Sequence, residues 1–280
     1  MSLHIGLNHL SNEVWAQQKT LYGCLNDARA MRDVAASREF TPRTLLDEQA
    51  TVVAVLDEIR SASSQLVDGD YFFLTYSGHG GYVPDKDGPK DEPDELDETW
   101  CLYDGQLIDD ILYAAICRFA VGVRVLVLSD SCHSGTVTRG GVPRPKVNDQ
   151  PPPPSNPITK SMPRELTIAE YDEHRTTYDQ LDESWRPHPE PKANAKVILI
   201  SGCMDDQESN DGDDYGAFTG AFLRIWNEGT FEGNFVELHG ELVSALQGLG
   251  QTPGYFPYGL RYGDMQKQVP LSDTLSSNDL

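Results

Sequence analysis

The segment 123–136, VRVLVLSDSCHSGT, constrains the fold more than any other part of the chain. Residues 123–128 are an unbroken apolar run, and a strand with two apolar faces must be covered on both. Such a strand belongs in a mostly parallel sheet between layers of helices. The run stops at Ser129, Asp130, Ser131, Cys132, His133, Ser134 and Gly135. Small and polar residues there let a chain leave the sheet edge and expose one side chain. Residues 71–76, YFFLTY, repeat the form and are followed by Ser77, Gly78, His79, Gly80 and Gly81. In an open parallel sheet, segments just past the carboxyl ends of neighbouring strands meet in one crevice. His79 is therefore expected beside Cys132, an imidazole next to a thiol.

The rest of the chain fits an α/β class. Residues 3–7 read as a first, central strand. A helix follows, capped by Asn26 or Asp27, with Ala28, Met31, Val34 and Ala35 on its inner face. Residues 43–46 suit a short edge strand and 51–66 an amphipathic helix. An acidic loop occupies 85–98, and Asp109-Asp110 opens another helix, where the helix dipole favours acids. Residues 196–201 form a further buried strand, and 216–227 and 235–248 two more helices. This βαβ alternation predicts a mostly parallel sheet flanked by helices on both faces. The stretch 138–195 is rich in proline; its first half reads as an extended, poorly ordered linker, and one exposed helix is expected at 164–183. The expected organisation is a large part at 1–137, the linker or insert at 138–195, a small part of the same domain at 196–262 and a tail at 263–280, frayed over its last ten residues.

Composition narrows the function classes. The 280 residues suffice for one large α/β domain or two small ones. A net charge of −22 provides no basic face for phosphates, so nucleic acid is not an expected partner. No run of about 18 apolar residues occurs, and residues 1–5 lack a charged and then apolar leader, so neither a membrane span nor a signal peptide is expected. Five cysteines without a CxxC pair point to a reducing, cytoplasmic setting rather than a disulfide framework or zinc site. A monomer is expected.

The chemistry follows from the thiol and the imidazole. A nearby imidazole raises the reactive thiolate fraction and can return the proton to a leaving amine. Glycines beside both residues let backbone N–H groups approach a developing oxyanion, with Gly80 and Cys132 as the candidate donors. No cofactor is needed for this chemistry. Cys101 and Cys117 read as buried core thiols. His133 reads as structural, because side chains of sequence neighbours diverge.

SGHG at 77–80, followed 53 residues after His79 by DSCHSG around Cys132, resembles the caspase-hemoglobinase superfamily, metacaspases and orthocaspases most of all. In caspases the histidine precedes the cysteine by about 50 residues. GCLNDA at 23–28, IDD at 108–110, ISGCMDDQ at 200–207, GAFTGAF at 216–222 and QTP at 251–253 follow in the family's order. The resemblance implies a cysteine endopeptidase with Cys132 as nucleophile and His79 as base. A non-proteolytic scaffold of the same fold is the alternative, disfavoured because both residues are present. An α/β hydrolase with a cysteine nucleophile would need a G-x-C-x-G elbow, which is absent.

Three further expectations rest on the resemblance. Caspases carry Gln two residues before the nucleophile, where this chain has Asp130. Together with Asp27 and Ser77, which match the family's pocket positions, Asp130 implies protein substrates cut after Arg or Lys. Such a peptidase would meet Arg139, Arg144, Lys146, Lys160 and Arg164 in its own exposed insert, so processing is expected there. Asp97, Asp109 and Asp110 match family positions that bind an activating Ca²⁺, an ion that takes about six to eight oxygen ligands. Arg139 stands where some relatives supply another acid.

Overall fold

Alternate residues of the apolar run face opposite layers. Val125 and Val127 enter one core cluster, Leu126 and Leu128 the other. The computed structural model describes residues 1–15, 18–85, 96–131, 158–186, 191–204, 207 and 209–276. In chain order the elements are β1 (Ser2–Gly6), α1 (Cys24–Ser37), β2 (Pro42–Leu46), α2 (Val52–Gln65), β3 (Tyr71–Ser77), β4 (Gly80–Pro84), β5 (Leu96–Leu102), β6 (Gly105–Ile108), α3 (Asp109–Ile116), β7 (Arg124–Asp130), α4 (Arg164–Glu173), α5 (Arg175–Trp185), β8 (Lys196–Ser201), α6 (Ala217–Trp226), α7 (Phe235–Leu246), β9 (Gly254–Gly259) and α8 (Tyr262–Gln266).

The main sheet has the order β2-β1-β3-β7-β8-β9. Every pair in it is parallel except β8 with β9. Helices α1, α6 and α7 cover one face, while α2, α3 and the aromatic residues of α4 and α5 cover the other. This is a mixed α/β fold with a mostly parallel sheet flanked on both faces. Among the described residues no helix is long and apolar enough to cross a membrane.

Several local expectations change. β1 is not central; it lies one strand in from the edge, and β3 and β7 hold the middle. Neither Asn26 nor Asp27 caps α1, because the helix starts at Cys24 and Gly23 is its N-cap. Residues 96–98 leave the acidic loop and join β5, the centre of a three-stranded antiparallel sheet, where Asp97 and Glu98 are buried. The insert is not one exposed helix. His174 separates α4 from α5, and Tyr171, Tyr178 and Trp185 are buried against the core. The tail also packs: Met265 and Leu271 are buried, and Gln268 bridges to Leu275.

Candidate active site

The parallel register brings the predicted site to one sheet edge. Ser77 ends β3 opposite Asp130, which ends β7. His79 follows β3 by two residues, and Ser131 is the last described residue before the predicted nucleophile. Cys132 itself lies outside the described residues, as do Arg139, Arg144 and Lys146.

The turn carrying His79 is held by β5. The Tyr76 hydroxyl lies 2.6 Å from the His79 carbonyl and 2.9 Å from that of Cys101. The Cys101 N–H also donates to the His79 carbonyl, at 2.9 Å. Tyr76 stacks on Trp100, with ring centroids 4.4 Å apart. The Trp100 indole donates to Ser129 Oγ at 3.0 Å, so one aromatic pair braces the exits of both β3 and β7. A side chain at Gly78 would run into the Tyr76 hydroxyl, which is why glycine stands in this turn.

The imidazole is oriented by a backbone group. His79 Nε2 lies 2.7 Å from the Lys19 carbonyl oxygen. A carbonyl only accepts, so Nε2 carries the proton, and in the neutral ring Nδ1 is the free lone pair. Nδ1 is buried and has no hydrogen-bond partner among the described residues. Burial pushes His79 down to about 4, against the upward pull of the Lys19 hydrogen bond. The ring is therefore neutral at physiological pH, with Nδ1 its unprotonated nitrogen.

Asp27, Ser77 and Asp130 converge on a single cation, the ammonium of Lys160. Lys160 Nζ lies 3.1 Å from Asp27 Oδ2, 2.9 Å from Ser77 Oγ and 3.0 Å from Asp130 Oδ2, with its side chain 0% exposed. Three acceptors satisfy the three ammonium protons. The Ser77 hydroxyl donates a hydrogen bond to Asp27 Oδ2 at 2.6 Å. The Gly216 N–H donates to Asp27 Oδ1 at 3.0 Å. Asp130 accepts from the Ser209 hydroxyl at 2.7 Å and from the Thr219 N–H and hydroxyl at 3.2 and 3.0 Å. Burial pulls the Lys160 ammonium down, but Asp130, Cys24, Asp27 and Asp211 together outweigh it and hold it well above its usual value. Burial raises Asp27 to about 6, with Lys160 pulling it back.

The backbone around Lys160 lies like an added strand. Its N–H donates to the Ser209 carbonyl at 2.9 Å, and the Asp211 N–H donates to the Ile158 carbonyl at 2.8 Å. On the other side the Gly80 N–H donates to the Lys160 carbonyl, and the Met162 N–H to the Gly80 carbonyl, both at 2.9 Å. Lys160 is thus buried, against the expectation of an exposed insert, whereas Arg164 is exposed at the start of α4. Sequence reasoning missed the Lys19 carbonyl, Ser209, Thr219 and the occupant of the pocket. GAFTGAF contains Gly216 and Thr219 but carried no role, and a backbone carbonyl leaves no trace in sequence.

Asp97, Asp109 and Asp110 gather at one end of the small sheet, because β5 and β6 pair Thr99 with Ile108. All three are buried. Asp110 Oδ2 is already paired with Arg186, at 2.8 Å. Among the described residues no three His, Cys, Asp or Glu side chains form a group able to hold a metal ion.

Comparison with known proteins agrees with the architecture. The caspase domain matches residues 3–277. Metacaspase-1 of Mycosarcoma maydis is 30% identical over 257 residues, covering 81% of this chain and 62% of that protein. Metacaspase-1 of Arabidopsis thaliana is 30% identical over 232 residues, covering 78% of this chain and 54% of that protein. The chain thus spans little more than half the length of these relatives. A crystal structure of a protein from Geobacter sulfurreducens superposes with a TM-score of 0.81 at 39% identity, covering 97% of this chain and 98% of that one.

Proposed function

The chain belongs to the caspase domain family, and from that premise we propose that it is a cysteine endopeptidase cutting proteins after Lys or Arg. In this reading Cys132 gives its proton to His79 Nδ1, and the thiolate attacks the scissile carbonyl. The oxyanion is held by the N–H groups of Gly80 and Cys132. His79 then protonates the leaving amine, and water cleaves the thioester to free the enzyme.

One observation carries the reading. Residue 160 places a basic side chain among Asp27, Ser77 and Asp130 while its own carbonyl accepts from Gly80 N–H. Those are the two contacts a substrate needs at once: the pocket for the residue before the cut, and a donor on the carbonyl to be attacked. Lys160 therefore stands as the chain's own substrate, and the Lys160–Ser161 bond is the proposed processing site among the five candidates. Until that bond is cut and residues 158–160 withdraw, the pocket is filled. The protein would work as a cytoplasmic monomer on protein substrates.

Peptides identical except for Arg, Lys or Asp before the cut test the specificity. Arg and Lys peptides should turn over and the Asp peptide should not. Asp130→Asn should lower turnover by about 100-fold or more, since removing one partner of a buried charge pair costs roughly 3–5 kcal/mol. Mass spectrometry of incubated protein should find the break after Lys160 in the native chain and none in Cys132→Ala. Preference for Asp, or equal processing by Cys132→Ala, rejects the reading.

A further inference from the structure

GAFTGAF marks the start of α6, and its first residue touches the pocket in a way no side chain could. Gly216 is the N-cap of α6, with φ −58° and ψ 151°. That backbone is open to any L-residue, so the turn does not require glycine. What forbids a side chain is the space beyond it. A Cβ at residue 216 would overlap both Lys160 Nζ and Asp130 Oδ2 and sit 2.9 Å from Asp27 Oδ2. The missing methyl leaves room for the cation between its two carboxylates.

We propose that Gly216 is the specificity-determining residue of the basic pocket, the position whose side chain decides whether a cationic group can enter. The proposal rests on the reading of Asp27, Ser77 and Asp130 as the substrate pocket. If Gly216 gains a methyl, both Lys160 Nζ and Asp130 Oδ2 must yield. Asp130 is fixed by Ser209 and by both donors of Thr219, and Asp27 by Ser77 and the Gly216 N–H. The ammonium sits at the end of a flexible side chain and leaves, while Asp130 must shift against its hydrogen bonds, so the pocket loses both its room and the placement of one carboxylate. The same exclusion applies to Lys160 in the uncut chain and to Lys or Arg of a substrate. Gly220, one turn further along the same motif, is the control, because a Cβ there comes no nearer than 3.5 Å to any heavy atom.

Two experiments test the gate, one of which needs no catalysis. Lys160→Ala leaves a vacated channel that n-propylamine, the part of lysine beyond Cβ, should refill. The amine should raise the melting temperature of Lys160→Ala by several degrees and leave that of the Lys160→Ala/Gly216→Ala double variant unmoved. In the second experiment, Gly216→Ala should lose roughly 100-fold or more in kcat/KM on Arg and Lys peptides. Gly220→Ala should stay within about threefold of the native chain, since its methyl makes only ordinary van der Waals contacts. An equal amine shift in the single and double variants overturns the proposal, as does undiminished Arg and Lys turnover by folded Gly216→Ala. If the peptidase reading fails instead, the native chain will not cut basic peptides, yet the amine shift will still separate the two variants.

Discussion

Lys160 and Asp27 set each other's charge, and the pH dependence of the site follows from that pair. Burial raises the Asp27 carboxyl to about 6, and the Lys160 ammonium is what keeps it from going higher. Its folded value lies above its ordinary one, so a proton is taken up as pH falls through about 6, and one of the two charges holding a basic side chain is lost. Lys160→Ala removes the nearby cation and must move the Asp27 value up. The acid limb of kcat/KM reports the free enzyme, and that of kcat the enzyme with substrate bound. In Lys160→Ala the first should therefore lie above about 6, while in kcat the substrate's own cation should bring the limb back down. Coincident limbs in rate profiles of a basic peptide would exclude this coupling. His79, pushed by burial to about 4, stays neutral through this range. Asp130, Asp27 and Ser77 were legible as a set through the resemblance to metacaspases, whose pocket positions they match. The ammonium among them was not, since nothing in the sequence around Lys160 ties it to Ser77, 83 positions away, or to Asp27, 133 positions away.

Elements were legible where their pattern was simple. β3 and β7 are apolar throughout, so they read directly as buried strands. α4 and α5 did not, because Tyr171, Tyr178 and Trp185 recur every seven residues across the break at His174, and their polar neighbours hide the pattern. Part of this surface is polar yet buried: Gln106 Nε2 donates to Glu170 Oε2 at 2.7 Å and to the Thr167 carbonyl at 2.9 Å. The end of α5 is the anchor. Trp185 lies between the guanidinium groups of Arg60 and Arg118, 4.4 and 4.2 Å from its ring. Next to it, Arg186 pairs with Asp110, whose side chain is 3% exposed. This guanidinium already neutralises the acid where a divalent cation was expected. Peptide turnover by the native chain should therefore be indifferent to a chelator. Arg186→Ala removes the guanidinium paired with the buried Asp110 carboxylate, at a cost of about 3–5 kcal/mol. Its melting temperature should fall, and millimolar Ca²⁺ should restore part of that loss while leaving the native value unchanged. Collapse of native turnover on chelation would show that Arg186 does not fill this role.

At the scale of the molecule, a cut after Lys160 divides the chain but not the fold. The leading piece keeps β1 to β7 and the trailing piece carries α4, α5, β8, β9 and α6 to α8. The break lies where the Lys160 backbone bridges Gly80 and Ser209, while the seam between the pieces runs between the fourth and fifth strands of the sheet, where β7 and β8 pair from Arg124–Lys196 to Ser129–Ser201. On one face Leu126 and Leu128 pack in one cluster with Ile198, Ile200, Phe218 and Phe222. On the other, Tyr171, Tyr178 and Trp185 join the cluster of α2 and α3. Each such side chain contributes about 1.5–3 kcal/mol on burial, so this seam outweighs the roughly 4–15 kcal/mol that association costs. The processed protein should elute at the size of the intact chain under native conditions and separate into two pieces only in denaturant. Unfolding then changes order: the intact chain unfolds in one molecule, whereas the cut protein must dissociate to unfold. Its melting temperature should rise with protein concentration, and that of Cys132→Ala should not. Pieces that part on native gel filtration would mean that the seam is weaker than its buried side chains imply.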